Sequence, residues 1–128
     1  AGLPGLVLGI MGAPETHLVE SDRRKASFLR EAARATGTAV TVHACRSDAV
    51  PPLMADVVTA RALAPLPLLL DLAGPFLGCA SCCLFLKGRS AAAELTEARR
   101  RWTMHSELHP SLSAPDGHVV VLRQVTRD

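Results

Sequence analysis

The sequence predicts an α/β fold in which helices cover a parallel sheet, and three observations carry that expectation. Short apolar runs of strand length alternate with segments of helical apolar periodicity through the first 90 residues. Cys82 to Lys87 is a near-continuous apolar run, the pattern of a central strand covered on both faces. Each predicted parallel strand runs into a polar or charged position: Glu20, the loop after Ala44, Arg61 and Lys87. Ligands of such sheets bind beyond the carboxyl ends of the strands, so these positions are expected to converge on one rim.

Taken in order, the chain opens on Ala1-Gly2-Leu3-Pro4-Gly5, a turn leading into a helix. Leu3 to Met11 is predicted as a short buried helix, with Pro4 in its first turn and Gly12-Ala13-Pro14 as its stop. Thr16 to Glu20 is the first predicted strand. Ser21 or Asp22 caps the next helix, with Ala26, Leu29, Ala33 and Thr36 as its buried stripe and Gly37 at its end. Arg23, Arg24, Arg30 and Arg34 take the opposite face. Val40 to Ala44 is a second strand, Asp48 to Leu53 a loop, and Asp56 to Ala60 a third strand. Pro65 and Pro67 suit the start of a helix through Leu77, in which Leu68, Leu69, Leu72, Ala73 and Phe76 recur at helical spacing. After the apolar strand, Ser90 caps a helix to Arg101, with Leu95, Ala98 and Trp102 inward. Trp102 to Leu108 and His118 to Val125 flank a turn-rich segment and read as an antiparallel pair closing the sheet.

A chain of 128 residues is one domain at most, or part of one. Hydrophobic residues make up 48% and aromatics 3%, so the core must be built from small aliphatic side chains. A net charge of +2 permits a nucleic-acid partner without requiring one. The longest apolar runs contain Pro and Gly and fall short of the roughly 18–20 uninterrupted residues of a membrane span, so no membrane anchor is expected. The opening residues lack the basic region of a secretory leader. Four unevenly placed cysteines suit a reducing cytoplasm rather than a disulfide scaffold.

Glu20 is the first candidate for a ligand contact. A carboxylate at a strand tip, about 20 residues after a glycine-containing turn, is where nucleotide-binding sheets hold the hydroxyls of a ribose. The plainer reading is an exposed acid favouring the positive end of the following helix. Arg61 stands in an apolar neighbourhood, where a guanidinium needs either an ion pair, with Glu20 or Asp56, or an anionic ligand. Lys87-Gly88-Arg89 repeats the theme, with solvated strand-end cations as the plainer reading. Cys79, Cys82 and Cys83 lack the further ligands of a zinc site and lead into a strand rather than a helix, so they read as turn and core residues. The five histidines show no paired spacing, and no nucleophilic triad can be assembled.

The segments GLPGLVLGI, LVESDRRKASFLREAARATG, VTARALAPLPLLLDLA and LFLKGR together resemble the small-subunit ribosomal RNA guanine-N7 methyltransferase family, also called glucose-inhibited division protein B. ARALAPL and LKGR are the most telling, because other dinucleotide-binding sheets do not share them. The resemblance implies a Rossmann-like class I methyltransferase fold. It implies an enzyme that uses S-adenosylmethionine to methylate guanine N7 in the 530 loop of 16S rRNA, a cytoplasmic protein without metal, monomeric when complete, whose partner is the small ribosomal subunit. Carried over by position, Gly2, Leu3 and Gly5 form the cofactor loop, Glu20 holds the ribose, and Ser47 and Asp48 lie beside the adenine. Arg61 matches the arginine of the family's S/T-R-A motif and is the best candidate for a catalytic contact. Arg46, Lys87 and Arg89 match basic positions facing cofactor or RNA. No general base is implied, since guanine N7 has a free lone pair.

Two departures accompany the resemblance. The family's first strand, with its D-x-G-x-G start, has no counterpart, so the sheet is expected to lack that strand and the single methyltransferase-like domain, residues 1–128, to be incomplete at its N-terminus. The isolated chain is accordingly expected to bind S-adenosylmethionine poorly or not at all. Gly78-Cys79-Ala80-Ser81 also replaces the usual glycine-rich turn. The alternative is a non-catalytic module that keeps the basic rim and binds RNA or a partner chain without cofactor. An oxidoreductase is more distant, because ARALAPL and LKGR have no role in one.

Overall fold

A computed structural model describes residues 4–61 and 64–128. Their contacts divide the chain into two compact units, with the boundary between Pro51 and Pro52.

In the first unit, α1 (Gly5–Ile10), β1 (Thr16–Val19), α2 (Arg23–Ala35) and β2 (Val40–His43) are followed by a short 3-10 turn, Ser47–Ala49. β1 and β2 pair in parallel, with Thr16 opposite Val40 and Val19 opposite His43. The Asp22 carboxylate starts α2 by accepting the N–H groups of Arg24 and Lys25 at 2.9 and 3.2 Å. Gly37, at φ +65°, lies in the left-handed region just beyond the helix end, where a side chain would be strained. Leu6, Leu18, Leu29 and Ala33 form this unit's core. Two expectations are corrected here. α1 is not buried all round, because only Leu6 of its residues is buried while Val7, Leu8 and Ile10 are exposed. Thr36 is exposed too, and its hydroxyl donates to the Ala32 carbonyl at 2.8 Å, so it finishes α2 instead of packing beneath it.

The second unit comprises β3 (Ala55–Arg61), α3 (Leu66–Ala73), β4 (Leu77–Lys87), α4 (Ala91–Ala98), β5 (Trp102–Pro110) and β6 (His118–Arg127). Its sheet has the order β3-β4-β6-β5, with β3 parallel to β4 and the other pairs antiparallel. The expected antiparallel pair at the end of the chain is present. Cys83 and Phe85 of β4 pack with Val120 and Leu122 of β6 beneath Leu66, Leu69 and Leu70 of α3 and Leu95 and Ala98 of α4.

Three details differ from expectation in this unit. The buried stripe of α3 is Leu66, Leu69, Leu70 and Ala73, while Leu68 and Leu72 face outward. In so leucine-rich a helix both sets satisfy the spacing, and only packing chooses between them. β4 begins at Leu77, so Gly78 to Ser81 belong to a strand rather than a turn. The Ser81 hydroxyl accepts the Gly78 N–H and donates to the Ala55 carbonyl, and the β3–β4 register shifts there. Finally, β6 carries an extra residue against β5, with Gln124 at φ +51°.

The described strands thus form two hydrogen-bonded sheets, of two and four strands, instead of one. Among the described residues β1 pairs only with β2 and β3 only with β4, so each keeps one open edge. No helix among them is long and apolar enough to cross a membrane.

Candidate functional site

The predicted strand-end residues fall two to each unit. Glu20 and the loop after Ala44 belong to the first, Arg61 and Lys87 to the second.

Glu20 directly follows β1. Its backbone N–H donates to the His43 carbonyl at 3.0 Å, which extends the parallel ladder by one rung. Its Oε2 accepts the N–H of Asp22 at 3.0 Å, while Oε1 has no hydrogen-bond partner among the described residues. The carboxylate is therefore held at the carboxyl end of β1 with one oxygen available. Ser47 and Asp48 open the 3-10 turn after β2, and Asp48 lies 3.6 Å from the Nε of Arg46. Both members of that pair are exposed, so it contributes little to stability and leaves either free to exchange partners. Gly2 and Leu3 lie outside the described residues. Gly5 has a packing role of its own: a Cβ there would stand 2.6 Å from Leu18 Cδ2.

Arg61 ends β3 opposite Leu86 and is exposed. Among the described residues it has no ion pair with an acid of its own unit, so the pairing with Asp56, one of the readings left open by the sequence, is not formed. Its donors are open to an anionic ligand.

Lys87 is not the solvated strand-end cation of its plainer reading. Its side chain is 5% exposed, and its ammonium lies 2.8 Å from Glu94 Oε1 and donates to the Ala64 carbonyl at 2.7 Å. The same Oε1 accepts the N–H of Leu66 at 2.8 Å, capping α3, whose flanking Pro65 supplies no side-chain cap. Burial pushes the Glu94 carboxyl up, but hydrogen bonds from Lys87, Ser90 and Leu66 and the charge of Lys87 outweigh it, and the net shift is downward. Arg89 is exposed and pairs with Asp116 at 3.1 Å.

Cys79, Cys82 and Cys83 lie along β4, Cys79 exposed and Cys83 buried, while Cys45 follows β2, and all four are free. No cluster of metal-ligating side chains occurs among the described residues.

Two relationships escaped the sequence reading. His17 and His43 stack across β1 and β2 with ring centroids 5.2 Å apart and Nδ1 of His17 at 2.9 Å from Nε2 of His43. Parallel register makes that pair, and spacing along the chain cannot reveal it. Glu94 was detectable, because it sits on the stripe of Ala91, Leu95 and Ala98, where a lone carboxylate needs a partner.

The family model described as GidB, rRNA small subunit methyltransferase G, matches residues 1–120. The chain belongs to this family. Ribosomal RNA small subunit methyltransferase G of Paramagnetospirillum magneticum is 58% identical over 127 residues, covering 99% of this chain and 62% of that protein. The protein of the same name from Rhodospirillum centenum is 55% identical over 125 residues, covering 98% of this chain and 58% of its own length. The chain thus spans less than two thirds of these methyltransferase G relatives. Among solved structures, a ribosomal protein L11 methylase from Lactobacillus delbrueckii subsp. bulgaricus matches with a TM-score of 0.70 at 15% identity, over 94% of this chain and 65% of that one. A mutant of MtNAS in complex with S-adenosylmethionine matches with a TM-score of 0.66 at 17% identity, over 94% and 50%. At such identities the likeness establishes the fold, which is the Rossmann-like class I methyltransferase fold expected from the sequence.

Proposed function

We propose that the chain is the larger part of an S-adenosylmethionine-dependent enzyme that methylates guanine N7 in the 530 loop of 16S rRNA. In this reading it acts in the cytoplasm on the small ribosomal subunit, as a monomer. The observation that carries the reading is family membership over residues 1–120. It is supported by Glu20, a strand-end carboxylate with one oxygen unpartnered among the described residues, which fits a ribose diol.

When bound, the cofactor supplies a methyl group already activated on a sulfonium. Glu20 accepts hydrogen bonds from the ribose hydroxyls, and its two backbone-derived restraints keep it from competing conformations. Gly2, Leu3 and Gly5 are assigned to the cofactor, and Ser47 and Asp48 to its adenine, by their match to the family's positions. Arg61 offers its guanidinium to an anionic group of cofactor or RNA. Arg46 and Arg89, both exposed, give salt-sensitive contacts to RNA phosphates. No residue has to remove a proton from guanine N7, so the protein's contribution is alignment and exclusion of water. The Lys87 ammonium is buried against Glu94, so this reading rests no RNA contact on it.

The test is methyl transfer from labelled S-adenosylmethionine to small subunits lacking the modification. The 128-residue chain is compared with the same chain extended to the length of the Paramagnetospirillum magneticum relative. Transfer by the extended chain alone, abolished by Arg61→Ala, is the expected result. Folded proteins that transfer nothing in either form would replace the enzyme reading with that of a module binding RNA or a partner chain.

A further inference from the structure

We propose that His17 and His43 form a proton-sensitive latch between β1 and β2, which releases the strand ends beside Glu20 in acid. The consequence for cofactor binding rests on the reading of Glu20 as the ribose ligand; the latch itself does not.

His17 Nδ1 lies 2.9 Å from His43 Nε2, and the two ring planes are 14° apart. Register sets Thr41 opposite His17 and His43 opposite Val19, so the imidazoles reach each other diagonally across the ladder. Leu18, Val40 and Val42 pack into the core with Leu6 of α1 and Leu29 and Ala33 of α2. Strand alternation therefore puts His17 and His43 on the other face of the pair of strands. The His17 side chain is 25% exposed there, enough to exchange protons with water. His43 also supplies the carbonyl that accepts the Glu20 N–H at 3.0 Å. One residue thus carries both the side-chain link and the rung from which Glu20 departs.

A hydrogen bond between two ring nitrogens needs one that bears a proton and one that is bare. The neutral pair meets that condition in either of two tautomeric arrangements, and a pair with one added proton meets it with a charge-assisted bond. Two added protons leave only donors, with like charges facing each other. The bonded pair therefore holds one added proton, whereas separated rings take two. Acid accordingly favours separation by up to about tenfold per pH unit below the range in which free imidazoles titrate.

The surrounding charges do not remove that conflict. The Glu15 carboxylate lies 3.8 Å from His17 Nε2, but its side chain is 85% exposed, so it favours the first proton weakly and supplies no acceptor between the rings. α1 carries no titratable side chain. From α2, Arg30 reaches β2 and donates to the Val42 carbonyl at 3.3 Å, a fixed cation that adds only repulsion. Beyond the strands, Glu20 is turned to the Asp22 N–H, Cys45 is free, and Arg46 is paired with Asp48.

The test uses the chain extended to the length of the Paramagnetospirillum magneticum relative. Scalar coupling across the bond between His17 Nδ1 and His43 Nε2, read by nuclear magnetic resonance on isotope-labelled protein, is expected at about pH 8 and is expected to vanish by about pH 5.5. Over the same interval the exchange protection of the Glu20 amide, corrected for its intrinsic rate at each pH, is expected to fall about tenfold. The double variant His17→Phe with His43→Phe, once shown by circular dichroism to fold, is expected to keep the same Glu20 protection at both values. Should it not fold, His17→Gln leaves no second ring to repel His43, and flat protection is again the expected result. S-adenosylhomocysteine affinity is expected to follow the protection, falling in the parent and not in the variant. Absence of the coupling at about pH 8, its persistence at about pH 5.5, or an equal loss of Glu20 protection in the variant overturns the latch. If Glu20→Ala leaves the affinity unchanged at about pH 8, the ribose reading falls, while coupling and protection still decide the latch.

Discussion

Glu20 Oε2 accepts the backbone N–H of Asp22 at 3.0 Å, so the candidate ribose ligand is held by the same turn whose next carboxylate starts α2. The two acids divide the work: Asp22 caps the helix, and Glu20 stays at the strand end with Oε1 unpartnered among the described residues. Glu20→Gln keeps an oxygen for the turn but gives up the charge, whereas Glu20→Ala gives up both. In the extended chain, Glu20→Ala is expected to weaken S-adenosylhomocysteine binding by about 1.5–3 kcal/mol, the range for hydrogen bonds to a charged group, with Glu20→Gln between it and the parent. Asp22→Ala is expected to cost about 1 kcal/mol of folding stability instead. Calorimetric titration beside thermal unfolding separates the two effects, and an unchanged affinity in Glu20→Ala would remove Glu20 from the site.

Gly5 permits α1 to approach β1, because a Cβ there would lie 2.6 Å from Cδ2 of the buried Leu18. Gly5→Ala is expected to destabilise the protein by about 1–3 kcal/mol, as overpacking does. In a Leu18→Ala background the obstructing methyl is gone, and the added cost of Gly5→Ala should fall to near zero. Urea unfolding of the four variants measures the coupling. Additive effects would mean that Gly5 does not serve the packing of α1 against Leu18.

Glu94 gives the stability a pH dependence of definite sign. Its carboxyl is held below the ordinary range, so the unfolded chain binds the proton more readily than the folded one. Its contribution is complete above the unfolded value, roughly pH 4.3 for glutamate, and is lost as the pH falls through the lower folded value. Near neutrality, Glu94→Gln strands the Lys87 ammonium and is expected to cost about 3–5 kcal/mol. The gap between parent and variant should close in acid, where the parent carboxyl is protonated as well. Denaturant midpoints recorded from neutrality to pH 3 test this, and a gap independent of pH would show that the pair is not ionised.

Periodicity and turn residues made the alternation of strands and helices legible, including the parallel start and the antiparallel close. The carboxylate at the end of β1 was visible for the same reason, since an acid ending an apolar run is a local pattern. Orientation was not. Leu68 and Leu72 share the spacing of the buried leucines of α3, and Lys87 reads as a solvated strand end until α4 brings Glu94 to it. The His17–His43 stack likewise depends on the register of two strands separated by α2. What escaped the sequence in each case is a choice made by a partner distant along the chain.

Cys79 and Cys83 test the pleat of β4 directly. Ser81, Cys83, Phe85 and Lys87 alternate inward, whereas Cys79 is exposed where the register with β3 shifts. Burial, and secondarily the neighbouring Cys82, pushes the Cys83 thiol up to about 12. At pH 8 its thiolate fraction is then about one in ten thousand, and the thiolate is the reacting form. Timed iodoacetamide treatment with peptide mass spectrometry is expected to modify Cys79 in the folded protein and to leave Cys83 unmodified until denaturant is added. Cys79→Ser should remove the fastest phase without altering Cys83. Modification of Cys83 at the rate of Cys79 under native conditions would mean that the inward face of β4 is open to solvent, and the packing of α3 and α4 over it would have to be abandoned.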